Sequence, residues 1–306
     1  MREDDRREDA RVSTPVNTPR PFLEGALGNA LQSRAARRFR RDPGAMIGLV
    51  LVVLLLLMAL FAPLLAGDPL RQNLSERLQA PSGAHLFGTD QLGRDVFART
   101  VQGSRISLAI GFLVVALSLV VGACVGLLAG VLGGVPDDLL MRPTDIFLAF
   151  PALILAMAIS AALGPNLTNV MIAVAVVSWP NYARLMRAQV LTLKGLDFVD
   201  AARALGASQG RVAWRHLLPN SVAPLLVQAS FDVGGAILTA AGLGFIGFGA
   251  QPPTPEWGAM VSETRNFILE APWASAAPAV SILLTVLAFN LLGDGVRDVL
   301  DPRGKR

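Results

Sequence analysis

From Ile146 to Ala183 the chain runs for 38 residues without a charged side chain. That is about twice the roughly 20 residues one helix needs to cross a bilayer. Gly164-Pro-Asn-Leu-Thr-Asn169 interrupts the run near its middle. The pattern therefore predicts a helical hairpin, one span over Ile146–Leu163 and a short one over Leu167–Arg184 that tolerates Pro180. A second uncharged block, Ala45–Leu65, predicts another span. Apolar stretches over Ile106–Leu132, Ser221–Leu243 and Ala271–Leu292 bring the expected number to six. With 53% hydrophobic and only 16% charged residues, the chain is an all-α polytopic membrane protein rather than a soluble domain.

Charge then assigns sides. Arg34, Arg37, Arg38, Arg40 and Arg41 precede the first span, and the chain ends in Arg303, Lys305 and Arg306. Both termini are expected in the cytoplasm, because basic residues flanking short spans stay inside. Residues 1–43 read as a polar tail with a short amphipathic helix near Phe22–Arg38, 44–66 as the first span and 67–105 as an extracytoplasmic segment. That segment holds five arginines against four acids and partly breaks the charge rule. The cluster ahead of the first span is expected to prevail over it. No cleavable signal peptide is expected, since the first apolar block is long and starts only after some forty polar residues. Residues 106–306 form a core of five spans, broken by a cytoplasmic loop at 184–220. The net charge of +4 is accounted for by orientation, and nucleic acid is not an expected partner.

Within the spans, Gly122, Gly126, Gly130 and Gly134 recur at a four-residue period, which lets another helix approach closely. Asp232 is an acid inside a span and so either a functional group or a structural acid near a polar cavity. Gly242-Leu-Gly-Phe-Ile-Gly247 has the spacing of a dinucleotide loop, but it follows a span rather than a strand, and helix packing or a kink explains it better. Phe87–Asp95 and the proline-rich Gln251–Gly258 read as compact external loops. Asp95–Arg105 reads as an amphipathic helix leading into the second span.

Catalytic chemistry finds no residues. There is one cysteine, Cys124, in an apolar run, and two separated histidines, His85 and His216. No phosphate-binding loop, metal-ligand spacing or nucleophile–base pair occurs. No catalytic, cofactor-binding or metal site is expected, and energy for uphill transport would have to come from a partner.

The long polar stretch in the second half is Asp197–Pro219, DFVDAARALGASQGRVAWRHLLP. Asp197 can N-cap a short helix with Asp200 in its first turn, and Gly206 can close it in the left-handed conformation. Phe198, Ala201, Ala202 and Leu205 fall at helical spacing, with Arg203 off that stripe. Ser208 can cap a second segment that Pro219 is expected to stop. Two short helices with a glycine hinge suit docking into another protein's groove, or form an ordinary surface helix.

Asp200-Ala-Ala, Gly206 and the Leu217-Leu-Pro219 closure resemble the EAA loop of binding-protein-dependent ABC transporter permeases. Phe87–Asp95, Gln251–Gly258 and Val286–Asp294 through Asp301-Pro-Arg are similar to the C-type permease subunit of the dipeptide/oligopeptide/nickel group. The resemblance runs from about residue 40 to the end. It implies a type I ABC importer permease fold (MetI-like) in the bacterial inner membrane. It also implies a homologous B-type permease, two ATP-binding subunits that hold ATP and Mg²⁺, an extracytoplasmic solute-binding protein and a peptide substrate. On the same basis Asp200, Ala201, Ala202, Arg203, Gly206, Leu218 and Pro219 become ATPase-coupling residues. Two departures stand out: Asp200 where the motif has Glu, and Ala240 where many relatives carry an acid. Glutathione and nickel importers share the pattern.

Overall fold

The computed structural model describes residue 37 and residues 39–300. The expected helix near Phe22–Arg38 and the basic C-terminus from Asp301 lie essentially outside the described residues.

The described chain is helical. The first helix, α1, spans Pro43–Leu65, with the Asp42 carboxylate accepting from the Gly44 N–H at its start. After an extended excursion come α2 (Val96–Leu132), α3 (Gly134–Leu148), α4 (Ala152–Leu163) and α5 (Leu167–Lys194). Two short helices follow, α6 (Asp197–Ala204) and α7 (Gln209–Val212). A π turn over Ala213–Leu217 leads straight into α8 (Leu218–Ile246). The set is completed by α9 (Trp257–Thr264) and α10 (Pro272–Leu300).

Length and composition let four of these helical stretches cross a bilayer alone: α1, α2, the α7–α8 stretch and α10. The α3–α4 pair would add a fifth, but it is bent by 91°. The expected straight span over Ile146–Leu163 is therefore corrected: the chain breaks at Phe150-Pro151, because a residue ahead of proline is driven out of the helical region. At Gly133 and Gly134, both with positive φ, α2 ends and α3 begins. The sixth expected span, α5, has 28 residues but is too polar to qualify by composition. Ser178, Tyr182 and Arg184 lie on it, and a polar helix of this kind is tolerated where it faces other helices rather than lipid. It also runs ten residues past its expected end at Arg184. The amphipathic stretch ahead of the second span is the first three turns of α2, with no break between them.

The α2–α5 crossing is the most extensive contact of the bundle. A Cβ at Gly122 would lie 2.5 Å from the Trp179 carbonyl oxygen, one at Gly126 would lie 2.2 Å from that of Ala183, and one at Gly130 would lie 2.7 Å from Val190. Three glycines thus let the two backbones touch. Gly134 is a correction to the stripe. It starts the next helix at φ 56°, and a Cβ there would meet nothing within 4 Å. We expect Gly126→Leu to cost about 1–3 kcal/mol by overpacking, read as a lowered melting temperature of the purified protein, whereas Gly134→Ala costs only its local backbone strain.

Helices α8 and α10 pack against this pair, and α1 lies on the outside along α10. Leu54, Leu60 and Leu64 of α1 are exposed, as expected of a helix that faces lipid tails.

Candidate functional site

The site is built where α5 ends. Lys194 Nζ donates to the Gly130 and Val131 carbonyls at 3.1 and 2.8 Å, tying off the open end of α2. Arg187 pairs in two-pronged fashion with Asp137 of α3, both contacts at 2.6 Å. Arg184 reaches Asp145 at 2.6 Å. Arg184 and Arg187 are therefore paired with acids within the chain, and they clamp α3 to α5.

On this base sits the α6–α7 pair. Val199 is fully buried, and together with Val212 and Leu217 it joins Leu127, Met186, Val190 and Leu225 in one apolar cluster. The opposite face is open: Leu205 is 90% exposed, Trp214 66% and Phe198 41%. The stripe of Phe198, Ala201 and Leu205 faces outward, and only Ala202 is half-buried. This helix of eight residues, with Val199 as its buried anchor, leaves its apolar stripe uncovered by the described chain.

Several predicted roles change in detail. Leu196, not Asp197, occupies the N-cap position, and no side chain caps the helix there. Asp197 and Asp200 sit in the first turn, where negative charge suits the helix dipole. Asp200 accepts from Arg203 of its own helix at 3.1 Å. That exposed pair contributes little to stability, and both groups can exchange it for an outside partner. Gly206 adopts φ 82°, with its N–H donating to the Arg203 carbonyl and the Ala207 N–H to that of Ala202, the two bonds of a Schellman ending. Ser208 caps α7 through the Arg211 N–H. Pro219, expected as a stop, is not one. It lies at the second residue of α8, and the widened π turn before it removes the register in which its missing N–H would break the helix. Leu218 is half-buried beside it. Helix α7 thus continues through the π turn into α8 without a break.

At the opposite end of the bundle the first predicted external loop and the start of α2 pair with α9, a feature no local pattern marks. Arg94 and Arg99 are each 1% exposed. Arg94 donates to Asp90 at 2.6 Å and to Glu263, and Arg99 donates to Asp90 and Glu263, each at 3.2 Å. Burial pushes the Glu263 carboxyl above its ordinary range, against the pull of Arg94. Beside it, Glu256 caps α9 by accepting from the Gly258 and Ala259 N–H groups at 2.9 Å. Burial pushes that carboxyl up as well, opposed by these N–H groups. Trp257 is fully buried and donates to the Thr100 carbonyl at 3.0 Å. The arrangement caps this end of the bundle with buried ion pairs. His85 lies between Asp95 and Glu76 at 2.8 and 3.5 Å. Among the described residues no group of acids, histidines and cysteines could hold a metal ion.

The described chain is thus a helical bundle, capped at one end, with an anchored but uncovered helix pair at the other. Residues 122–306 match the family model for the binding-protein-dependent transport system inner membrane component, and residues 31–81 match that for the N-terminal TM domain of oligopeptide transport permease C. The chain belongs to this family of ABC transporter permeases, as a C-type member of the dipeptide/oligopeptide/nickel group. It is 48% identical to a dipeptide transport system permease protein of Alkalihalophilus pseudofirmus, over 89% of this chain and 90% of that protein. It is 50% identical to a probable D,D-dipeptide transport system permease protein of Escherichia coli, over 86% and 88%. A glutathione transport system permease protein of Pectobacterium atrosepticum is 45% identical, over 88% and 90%. Among solved structures, the inward-facing MetNI methionine ABC transporter matches with a TM-score of 0.53 at 20% identity, over 66% of this chain and 97% of that chain. That likeness concerns the fold.

Proposed function

We propose that the chain forms half of the translocation pathway of an ATP-driven importer of di- and short oligopeptides. It pairs with a homologous B-type permease in the bacterial inner membrane, with both termini in the cytoplasm. Two ATP-binding subunits hold ATP and Mg²⁺, and one of them receives the α6–α7 pair in a groove. Asp200, Ala201, Ala202, Arg203 and Gly206 form that contact, while Leu218 and Pro219 pass its movement into α8. The capped end then faces the extracytoplasmic solute-binding protein. The chain itself catalyses nothing.

The observation that carries this reading is the exposed apolar stripe of α6, anchored from behind by Val199 and continuous through the π turn with a span. The substrate class rests on the peptide and dipeptide permeases among the relatives. Glutathione is the second reading, favoured by the glutathione permease among them, with nickel a third that shares the architecture. An ATP-independent carrier would need paired ionisable groups inside the spans, and Asp232 has no salt-bridge partner there among the described residues.

The test is uptake into proteoliposomes holding the complete transporter with its binding protein outside. Labelled alanyl-alanine should accumulate only with ATP inside and should be indifferent to collapse of the ion gradient. Uptake that follows the gradient instead would overturn the reading. Preferential uptake of glutathione or Ni²⁺ would move the substrate assignment and leave the rest intact.

A further inference from the structure

Asp232, an acid set deep in the spans, opens on a cavity. Between α2, α5 and α8 lies a space of about 190 Å³ whose polar lining is Ser118, Ser178, Asn181, Tyr182, Asp232 and Thr239. The rest of its wall is aliphatic or glycine, and among the described residues no cationic side chain lines it. Tyr182 is fully buried. Its hydroxyl lies beside Asp232, near enough to interact with that carboxylate, but reaches hydrogen-bond geometry with no group of the described chain. Ser118 and Ser178 are satisfied by the carbonyls of Val114 and Val174 on their own helices. Asp232 has the Gln228 amide, donating at 2.9 Å to one of its oxygens. The other Asp232 oxygen and the Tyr182 hydroxyl are thus left to face the same space.

A buried hydroxyl without a partner and a carboxylate without a cation are both costly in a span. Their costs fall together when a ligand supplies a charged donor. A primary ammonium does this: it carries one positive charge and three N–H donors, enough for the carboxylate, the phenol oxygen and one more acceptor. Asn181 and Thr239, at the more open side of the cavity, have the amide and hydroxyl groups to meet a peptide bond next to that ammonium. We infer that Asp232 and Tyr182 form a transient site for the α-ammonium group of a peptide passing through the permease. The inference rests on the reading of the chain as a peptide-importing subunit and adds a residue-level substrate contact to it. Because the site offers few partners it holds the peptide weakly, as a pathway requires: entry is favoured over bare bilayer, and exit stays fast.

The experiment uses the complete transporter in proteoliposomes with saturating binding protein. Alanyl-alanine uptake and ATP hydrolysis are measured in parallel, and alanyl-photoleucine is used as a photolabel. In the wild type the label should fall on α5 and α8 around Tyr182 and Asp232. Asp232→Asn should lower uptake about tenfold, the loss expected for one charge-assisted hydrogen bond, and should remove that label while ATP hydrolysis continues. Asp232→Glu should restore most of both, which a packing role for the side chain would not produce. Tyr182→Phe removes only the orphan hydroxyl and should weaken label and uptake about threefold, so the inference stays testable if Asp232→Asn fails to assemble. Label and uptake unchanged in Asp232→Asn, or unchanged in Tyr182→Phe where Asp232→Asn does not assemble, would overturn the inference and leave peptide import standing. Wild-type transporter that carries no peptide would overturn both.

Discussion

Replacing Ala201 by Trp and Gly206 by Val in one chain is expected to abolish peptide uptake while membrane insertion and the bundle's melting temperature stay close to wild type. Ala201 is exposed, so a larger side chain there points away from its own chain and obstructs only a partner. Gly206 sits at φ 82°, and a Cβ added to it would meet nothing within 4 Å. A β-branched residue there strains the backbone by roughly 1–2 kcal/mol, and that strain is local, because the Schellman ending closes only α6. The apolar cluster around Val199, Met186 and Leu225 is untouched. If the stripe docks in a groove, a bulky ring at Ala201 and a displaced turn act on one interface. Together they should reduce uptake by at least about a hundredfold, equivalent to roughly 2.7 kcal/mol of lost coupling. Uptake and melting curves on the same preparations check this. Normal uptake would remove α6 from the coupling path.

The second large effect belongs to the capped end. Arg94→Met should destabilise the purified permease by about 3 kcal/mol, because it leaves two buried carboxylates, Asp90 and Glu263, sharing the single charge of Arg99. Arg94 is 1% exposed and held by Asp90 and Glu263. The effect should depend on pH, and the sign follows from Glu263. Its carboxyl already lies above the ordinary range in the folded protein through burial. Its contribution to stability is therefore fully present below the ordinary glutamate range and is lost as pH rises through the raised folded value. Without Arg94 the folded value rises further, so the loss extends to higher pH. The gap between variant and wild type should widen from acidic toward neutral pH, measured by melting curves across that range. A gap that stays flat would mean that the folded Glu263 value does not depend on Arg94, and one that narrows would mean that it falls without Arg94.

Much of the architecture is legible in the sequence because a bilayer forbids charge in its core. Ala45–Leu65 is a helix within two residues of its uncharged block. The glycines at 122, 126 and 130 carry their own reason, a backbone contact that any side chain would obstruct. Gly206 and Ser208 are read from local chemistry alone, since a left-handed turn and a hydroxyl cap need no distant partner. What the pattern hides is set by contacts between distant segments. The 91° break between α3 and α4 is marked only by Pro151, inside a run whose lack of charge looks continuous. Helix α5 is read as ending at Arg184, yet Asp145, Asp137 and the end of α2 neutralise Arg184, Arg187 and Lys194 and let the helix continue to 194. Pro219 reads as a stop unless the π turn ahead of it is known. The pairing of Arg94 with Glu263 joins residues 169 positions apart, and no local pattern can foretell it. In the coupling stretch, the spacing of Phe198, Ala201 and Leu205 identifies a stripe but not which way it faces. Val199, the residue between, turns out to be the anchor, and Trp214 joins the exposed face from the next turn.

Docking of α6 against an ATP-binding subunit can be read out by a cross-link from its tip. Cys124 is the chain's sole cysteine, so a Cys124→Ser background carrying Leu205→Cys offers one thiol at a side chain 90% exposed in the isolated chain. Labelled with a benzophenone maleimide and illuminated within the assembled transporter, that position should give a single adduct to the ATP-binding subunit, and in the assembly the thiol should be shielded from a soluble maleimide. A thiol equally reactive in the free permease and in the assembly, with no adduct to the ATP-binding subunit, would contradict the coupling role of α6.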